Sequence, residues 1–218
     1  MPRNKYPEET RSKIIEAALR VFLEKGYEQT TVLDIVAHMQ GLTRGAFYHH
    51  FKSKEEVLVA VSDKLFYDDN PFDAVLHEKG LNGLQKLRKA LTMSLEDIND
   101  DYRLVRMDFA ALMKSPAFLM DHLKFNTTLS RQYVQPLIEE GVADGSIMVQ
   151  DPQLVAELLI MLSNLWLLPM LFSGDLAYMK RKADMIDEIL THLGLPLFDD
   201  DMEAAGHDAL QTIAQIPT

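Results

Sequence analysis

The chain has no cysteine and a single tryptophan among its 218 residues. Without cysteine there is no disulfide framework, no thiolate metal site and no thiol nucleophile, and a reducing, cytoplasmic setting is expected. A long hydrophobic run is also missing. The most apolar stretch, LLIMLSNLWLLPMLF at 158–172, is interrupted by Ser163, Asn164 and Pro169. It falls short of the ~20 apolar residues that a membrane helix needs, so it reads as a buried or interface helix. The opening MPRNKYPEETRSK carries no apolar segment of the kind that directs secretion. Ser-His-Asp arrangements, metal-ligand spacings and glycine-rich phosphate loops are absent, and the seven histidines are scattered. The expectation is therefore a non-enzyme with no metal and no cofactor. Asp108 near Arg106 and the run Asp199 to Asp201 read as solvated charges.

Positive charge is scarce overall, yet it is unevenly placed. The chain has 22 lysines and arginines against 33 acidic residues, a formal net charge of -11. Residues 1–54 hold nine basic and six acidic residues, +3, and the remainder holds 13 basic and 27 acidic residues, -14. A basic N-terminal quarter on an acidic body suggests that only the first part meets a polyanion.

What is present is helical punctuation, with no convincing strand. Ile14, Ile15, Ala18, Leu19, Phe22 and Leu23 form one stripe over 10–25, and Gly26 supplies a stop. Thr31 with Asp34 marks a second start, Thr43 a third running through about His50, and Ser53 with Glu56 a fourth running past Phe66. NPF at 70–72 breaks or bends that helix. Further helices are expected near 82–99, 103–113, 117–143, 151–172 and 175–193. Ser115-Pro116 and Asp151-Pro152 are clear starts, each placing a capping residue before a proline at the first helical position. The acidic start of the tail from 196 suits one more short helix. The fold class is all-α: a three-helix head over residues 1–52, and a helical body over 53–218.

Two short helices around a glycine-containing turn describe a helix-turn-helix unit, whose second helix enters the major groove of DNA. Here that helix follows GLT at 41–43. Thr43 and Arg44 lead into the groove, an arginine suiting the two acceptors of guanine. Tyr48, His49 and His50 lie at its far end, within reach of phosphates. The helix starts at Thr31 and Ser53, with Lys54 beside the latter, offer amides and charge for phosphate oxygens. Phe47 and Phe51 are expected in the core. His49 and His50 point about 100° apart on a helix, which argues against a shared metal.

The segment TRSKIIEAALRVFLEKGYEQTTVLDIV, followed by GLTRGAFYHHFKSKEEVL, resembles the DNA-binding domain of the TetR family of bacterial transcriptional repressors. Phe22, Gly26, Tyr27, Thr30, Thr31, Ile35, Gly45, Tyr48, His50, Phe51, Ser53, Lys54 and Glu55 carry the resemblance over residues 10–58. One departure stands out: Ile35 to Gly45, IVAHMQGLTRG, is one residue longer than the usual pattern. Met39 and Gln40 replace the common small residues before the turn glycine. With the resemblance, the expected DNA-facing set is Thr30, Thr31, Thr43, Arg44, Gly45, Tyr48, His49, His50, Lys52 and Lys54.

For the body, the resemblance implies a homodimer built on the last two long helices. Leu158, Leu162, Trp166, Met170, Ile186, Ile189 and Leu190 are the interface expectations. It also implies a small-molecule effector that repositions the heads on a palindromic DNA operator and releases a repressor. Phe66, Met107, Met113, Phe118, His122, Asn126, Tyr133, Asn164 and Trp166 are the expected pocket residues; methionine and aromatic side chains suit an adaptable apolar cavity. The competing reading is a protein-interaction module on a helix-turn-helix scaffold that does not read DNA.

Overall fold

The structure is a computed structural model that describes residues 7–68, 70–96, 116–167, 172 and 174–214. The described residues form helices and turns, with no strand among them. Two compact units emerge, Met1–Asp69 with Asp101–Asp121, and Asn70–Asp100 with His122–Thr218.

In the first unit, α1 (Pro7–Lys25) buries Ile14, Ala18, Val21 and Phe22 along one face. Gly26 ends it in the left-handed region at φ 78°, its amide donating to the Phe22 carbonyl. Two short helices follow, α2 (Val32–Ala37) and α3 (Arg44–His50), and both pack on α1. Ile35, Met39, Phe47 and Phe51 fill the space between them. The helix α4 (Lys54–Asp68) returns across α1 and buries Val57, Leu58 and Val61.

The segment between Ile35 and Gly45, expected to be one residue longer than the usual pattern, is a helix end followed by a turn. Helix α2 stops at Ala37, Met39 drops into the core, and Gln40 (φ 47°) and Gly41 (φ 87°) are both left-handed. Glycine takes that conformation freely, whereas Gln40 takes it at a steric cost. Thr43 caps α3, accepting from the Ala46 amide at 3.2 Å.

The second unit begins with Asn70, whose side chain accepts from the Phe72 amide at 3.0 Å and starts α5 (Pro71–Leu76). NPF thus opens a new helix instead of bending the old one. Helix α6 (Gly83–Glu96) packs against α5 and, through Gly83, against the backbone at Gly141. Helix α7 (Pro116–Thr128) continues from the first unit into the second. It runs without a break into a wider π-helical segment (Leu129–Val134) and then α8 (Gln135–Asp144). Helix α9 (Pro152–Met161) is capped by Asp151 at 3.1 Å and likewise passes into a π segment (Leu162–Trp166). Helix α10 (Leu176–His192) packs on α9. The tail forms α11 (Asp200–Ala214), docked on α6 and α10. Asp199, expected as a solvated charge, caps α11 through the Met202 amide and pairs with Arg88 at 3.3 Å. The expected helix at 103–113, with Asp108 and Arg106, lies outside the described residues.

Candidate nucleic-acid interface

Helix α3 divides cleanly into two faces. Phe47 is fully buried, and Phe51 follows it into the core with ring centroids 6.2 Å apart. On the other side Thr43, Arg44, Gly45, Tyr48, His49 and Lys52 are exposed. The Arg44 guanidinium stands 5.4 Å from the centre of the Tyr48 ring, and Tyr48 in turn rests edge-on against Phe47 at 5.3 Å. This stack restrains two long side chains that are otherwise free, so their polar ends are held outward.

Gly45 is the least expected member. A Cβ built there would meet only the Thr43 Oγ at 3.6 Å. Nothing inside the protein requires glycine, and glycine within a helix costs about 0.5–1 kcal/mol relative to alanine. Its bareness gains meaning only if another surface comes close to α3.

Around this face the phosphate candidates divide. Thr31 closes a capping box: its hydroxyl accepts from the Asp34 amide, and the Asp34 carboxylate accepts from the Thr31 amide at 2.8 Å. Lys25 pairs with the other oxygen of Asp34 at 2.6 Å and ties the end of α1 to the start of α2. Hydrogen bonds from Lys25 and then Thr31 hold the Asp34 carboxyl far below the usual carboxylate range. Ser53 repeats the device at α4, accepting from the Glu56 amide at 3.3 Å while Glu56 accepts from the Lys52 amide. His50 is half-buried; burial, and then repulsion from His49 and Arg11, push its pKa below the ordinary 6.5.

Two residues of the expected DNA-facing set make contacts within the unit. Thr30 is buried and its hydroxyl donates to the Gly26 carbonyl at 2.6 Å, so its side chain secures the turn after α1. Lys54 points back across the unit, its ammonium 2.7 Å from the Tyr27 carbonyl and 4.0 Å from the centre of the Tyr27 ring. The Tyr27 hydroxyl donates to Glu55 at 3.2 Å. Lys54 therefore braces α4 against the end of α1, and Lys52 is the exposed lysine of this edge.

The family model "Bacterial regulatory proteins, tetR family" matches residues 14–61, the segment that builds these helices. The chain is also 31% identical over 144 residues to the transcriptional repressor KstR2 of Mycolicibacterium smegmatis, covering 64% of this chain and 68% of that protein. The chain belongs to the TetR family. The probable transcriptional regulator ArpR of Pseudomonas putida is 39% identical over 102 residues, 46% of this chain and 48% of ArpR. The match thus spans about half the length of that relative. In three dimensions, a TetR-family regulator from Pectobacterium atrosepticum superposes with a TM-score of 0.63 at 23% identity, covering 89% of this chain and 98% of that one.

The remaining expectations for this TetR-family chain fall on the body. Among the pocket residues, His122, Asn126, Tyr133, Asn164 and Trp166 lie in the second unit, and Phe66 and Phe118 in the first. Met107 and Met113, with Met170 of the interface set, lie outside the described residues. Asn164 donates to Asn126 at 2.9 Å, and Tyr133 stacks on Phe72 with centroids 5.8 Å apart. Of the interface set, Ile186 and Leu190 are buried by their own chain and fill the protomer core. Leu158, Leu162, Trp166 and Ile189 are partly open. The exposed apolar residues of α9 and α10 are Leu154, Met161 and Met185, which periodicity alone did not single out. No helix among the described residues is long and apolar enough to cross a membrane, and no cluster of potential metal ligands occurs among them.

Proposed function

We propose that the protein is a dimeric transcriptional regulator, a repressor that grips a palindromic operator through α3 and is released by a small apolar or amphipathic effector held in the body. The observation that carries this reading is the exposed face of α3: a stacked Arg44–Tyr48 pair beside a glycine that its own fold does not need. Arg44 supplies base readout, Tyr48, His49 and Lys52 supply phosphate contacts, and Gly45 allows the helix to approach closely. Two copies of so short a helix double the contact, which explains the need for a dimer. Leu154, Met161 and Met185 supply its unpaired apolar surface on α9 and α10. Effector control requires only that the effector favour one spacing of the two heads.

Selection from a random duplex pool by the purified protein, with affinity followed against salt, tests the reading. Enrichment of a palindrome bound by two subunits, weakening steeply with salt, is the expected result. Absence of any enriched sequence, with or without extracts containing candidate effectors, would count against DNA reading and return the interaction-module alternative.

A further inference from the structure

The second unit buries an unusual set of polar side chains along the stretch that leads into its first π segment. Asn126 and Ser130 are 3% and 2% exposed and stand four residues apart on the α7–π stretch. Asn126 Oδ1 accepts from Asn164 Nδ2 at 2.9 Å, joining this stretch to the second π segment. Beyond that bond, Asn126 Nδ2 and Ser130 Oγ are buried with no hydrogen-bond partner among the described residues. Buried donors of this kind are nearly always satisfied in folded proteins, because an unmade bond leaves the desolvation cost uncompensated. The backbone is widened at the same place. The Gln135 amide reaches the Ser130 carbonyl and the Leu167 amide the Leu162 carbonyl at 2.9 Å, each five residues back. Such widened turns recur at functional sites.

The surroundings restrict what these atoms can hold. No charged side chain among the described residues bonds to Asn126, Ser130 or Asn164. Arg131 pairs with Glu157 at the surface. The buried Lys182 ammonium is committed to the Trp166 and Phe172 carbonyls, 2.8 and 3.4 Å away, and is ringed by Trp166, Phe172 and Tyr178. His122 bonds to the Asn164 backbone, and burial pushes its pKa below the ordinary value, so it adds no charge at neutral pH. A carboxylate or an ammonium held at Asn126 and Ser130 would lose its hydration with no counter-charge bonded to those residues.

We infer that Asn126 and Ser130 are the polar anchors of the effector site, and that they take an uncharged molecule presenting a hydroxyl or carbonyl oxygen from an otherwise apolar skeleton. This rests on the reading of the protein as an effector-controlled regulator. Asn126 Nδ2 donates to the oxygen, Ser130 Oγ donates or accepts, and Asn164 fixes the amide's orientation.

The test uses the full chain and its one tryptophan, Trp166, two residues beyond Asn164. A homologous series of straight-chain alcohols and ketones, with matched alkanes and carboxylates, is titrated against Trp166 fluorescence, and operator release is measured separately. Alcohols or ketones are expected to bind about tenfold tighter than the matched alkane or carboxylate, one net hydrogen bond's worth. Ser130→Ala and Asn126→Leu should each remove most of that advantage. Ser130→Ala deletes only an unpaired hydroxyl, so its Tm should equal or exceed the parent's, which separates lost binding from misfolding. Equal binding of alkanes, tighter binding of carboxylates, an unchanged alcohol affinity in Ser130→Ala, or no saturable response to any probe would overturn the inference. A Trp166 response without any DNA binding would sink the regulator reading and leave the site standing; DNA binding without a Trp166 response would do the reverse.

Discussion

At the scale of single residues, Gly45 separates folding from function. Alanine there meets nothing closer than 3.6 Å, so Gly45→Ala should stabilise the protein by about 0.5–1 kcal/mol. The same methyl group would hold α3 away from a duplex, so operator affinity should fall at least roughly tenfold, a loss on the order of 1.4 kcal/mol. Thermal melts and DNA titrations of one variant read both effects. The two lysines of the α3–α4 edge make a second contrast. Lys52→Ala should lower affinity on all sequences and reduce the salt slope by about 0.9, one phosphate contact, with stability unchanged. Lys54→Ala should instead cost stability, about 1 kcal/mol, through its lost contacts with Tyr27. His50 adds a pH dependence. Its folded pKa is depressed below the ordinary 6.5, so the unfolded chain takes up a proton before the folded chain does. The His50 contribution is therefore intact above about pH 7 and is lost as pH falls through about 6.5 toward the depressed folded value. Tm measured across that window should fall less in His50→Gln than in the parent.

At the scale of elements, backbone proximity decides more than side-chain character. A Cβ on Gly83 would lie 2.1 Å from the Gly141 nitrogen and 2.7 Å from the Leu137 carbonyl oxygen. Backbone offers no rotamer to relieve this, and Gly83→Ala should force α6 off α8 at a cost of about 3 kcal/mol, visible as a lowered urea midpoint. The helix starts were legible in the sequence because capping is local. Thr31–Asp34, Thr43, Ser53–Glu56 and Asp151-Pro152 each declare themselves within four residues, and each acts as read. The contacts of Lys54 were not legible, since Tyr27 lies 27 residues away in the chain. The second π segment was not legible either, because LSNLW carries no residue that a regular α-helix would refuse; the first did carry a signal in Pro136, two residues past Val134, which has no amide to give the Gln132 carbonyl. The burial of Ile186 and Leu190 also escaped, because an apolar stripe does not say whether its own chain or a second copy covers it. Of the residues expected in a pocket, His122, Asn126 and Asn164 are linked by hydrogen bonds; the burial of the Ser130 hydroxyl gave no local signal in the sequence.

For the whole molecule, charge and apolar surface divide the work. The first 54 residues carry +3 and the remainder -14. On the proposed reading, a duplex is attracted by the head and repelled by the rest, which favours a single docking mode over diffuse binding. Dimerisation on α9 and α10 is tested by Met161→Glu with Met185→Glu, both at exposed positions, 49% and 50%. These charges should shift sedimentation to the monomer and, with it, abolish palindrome preference while leaving the helical circular dichroism intact.

The widened turns have a consequence for how this chain tolerates changes of length. Each π segment behaves as a regular helix holding one surplus residue. A one-residue deletion inside an ordinary helix turns everything beyond it by about 100° and scrambles its packing. At these points the rotation is already present and compensated, so removal of one residue would close the helix. Within 129–134 or 162–166 it would also swing the polar residues off their present faces. On the proposed reading, single-codon deletions there should leave a folded protein that still binds DNA and no longer answers to an effector.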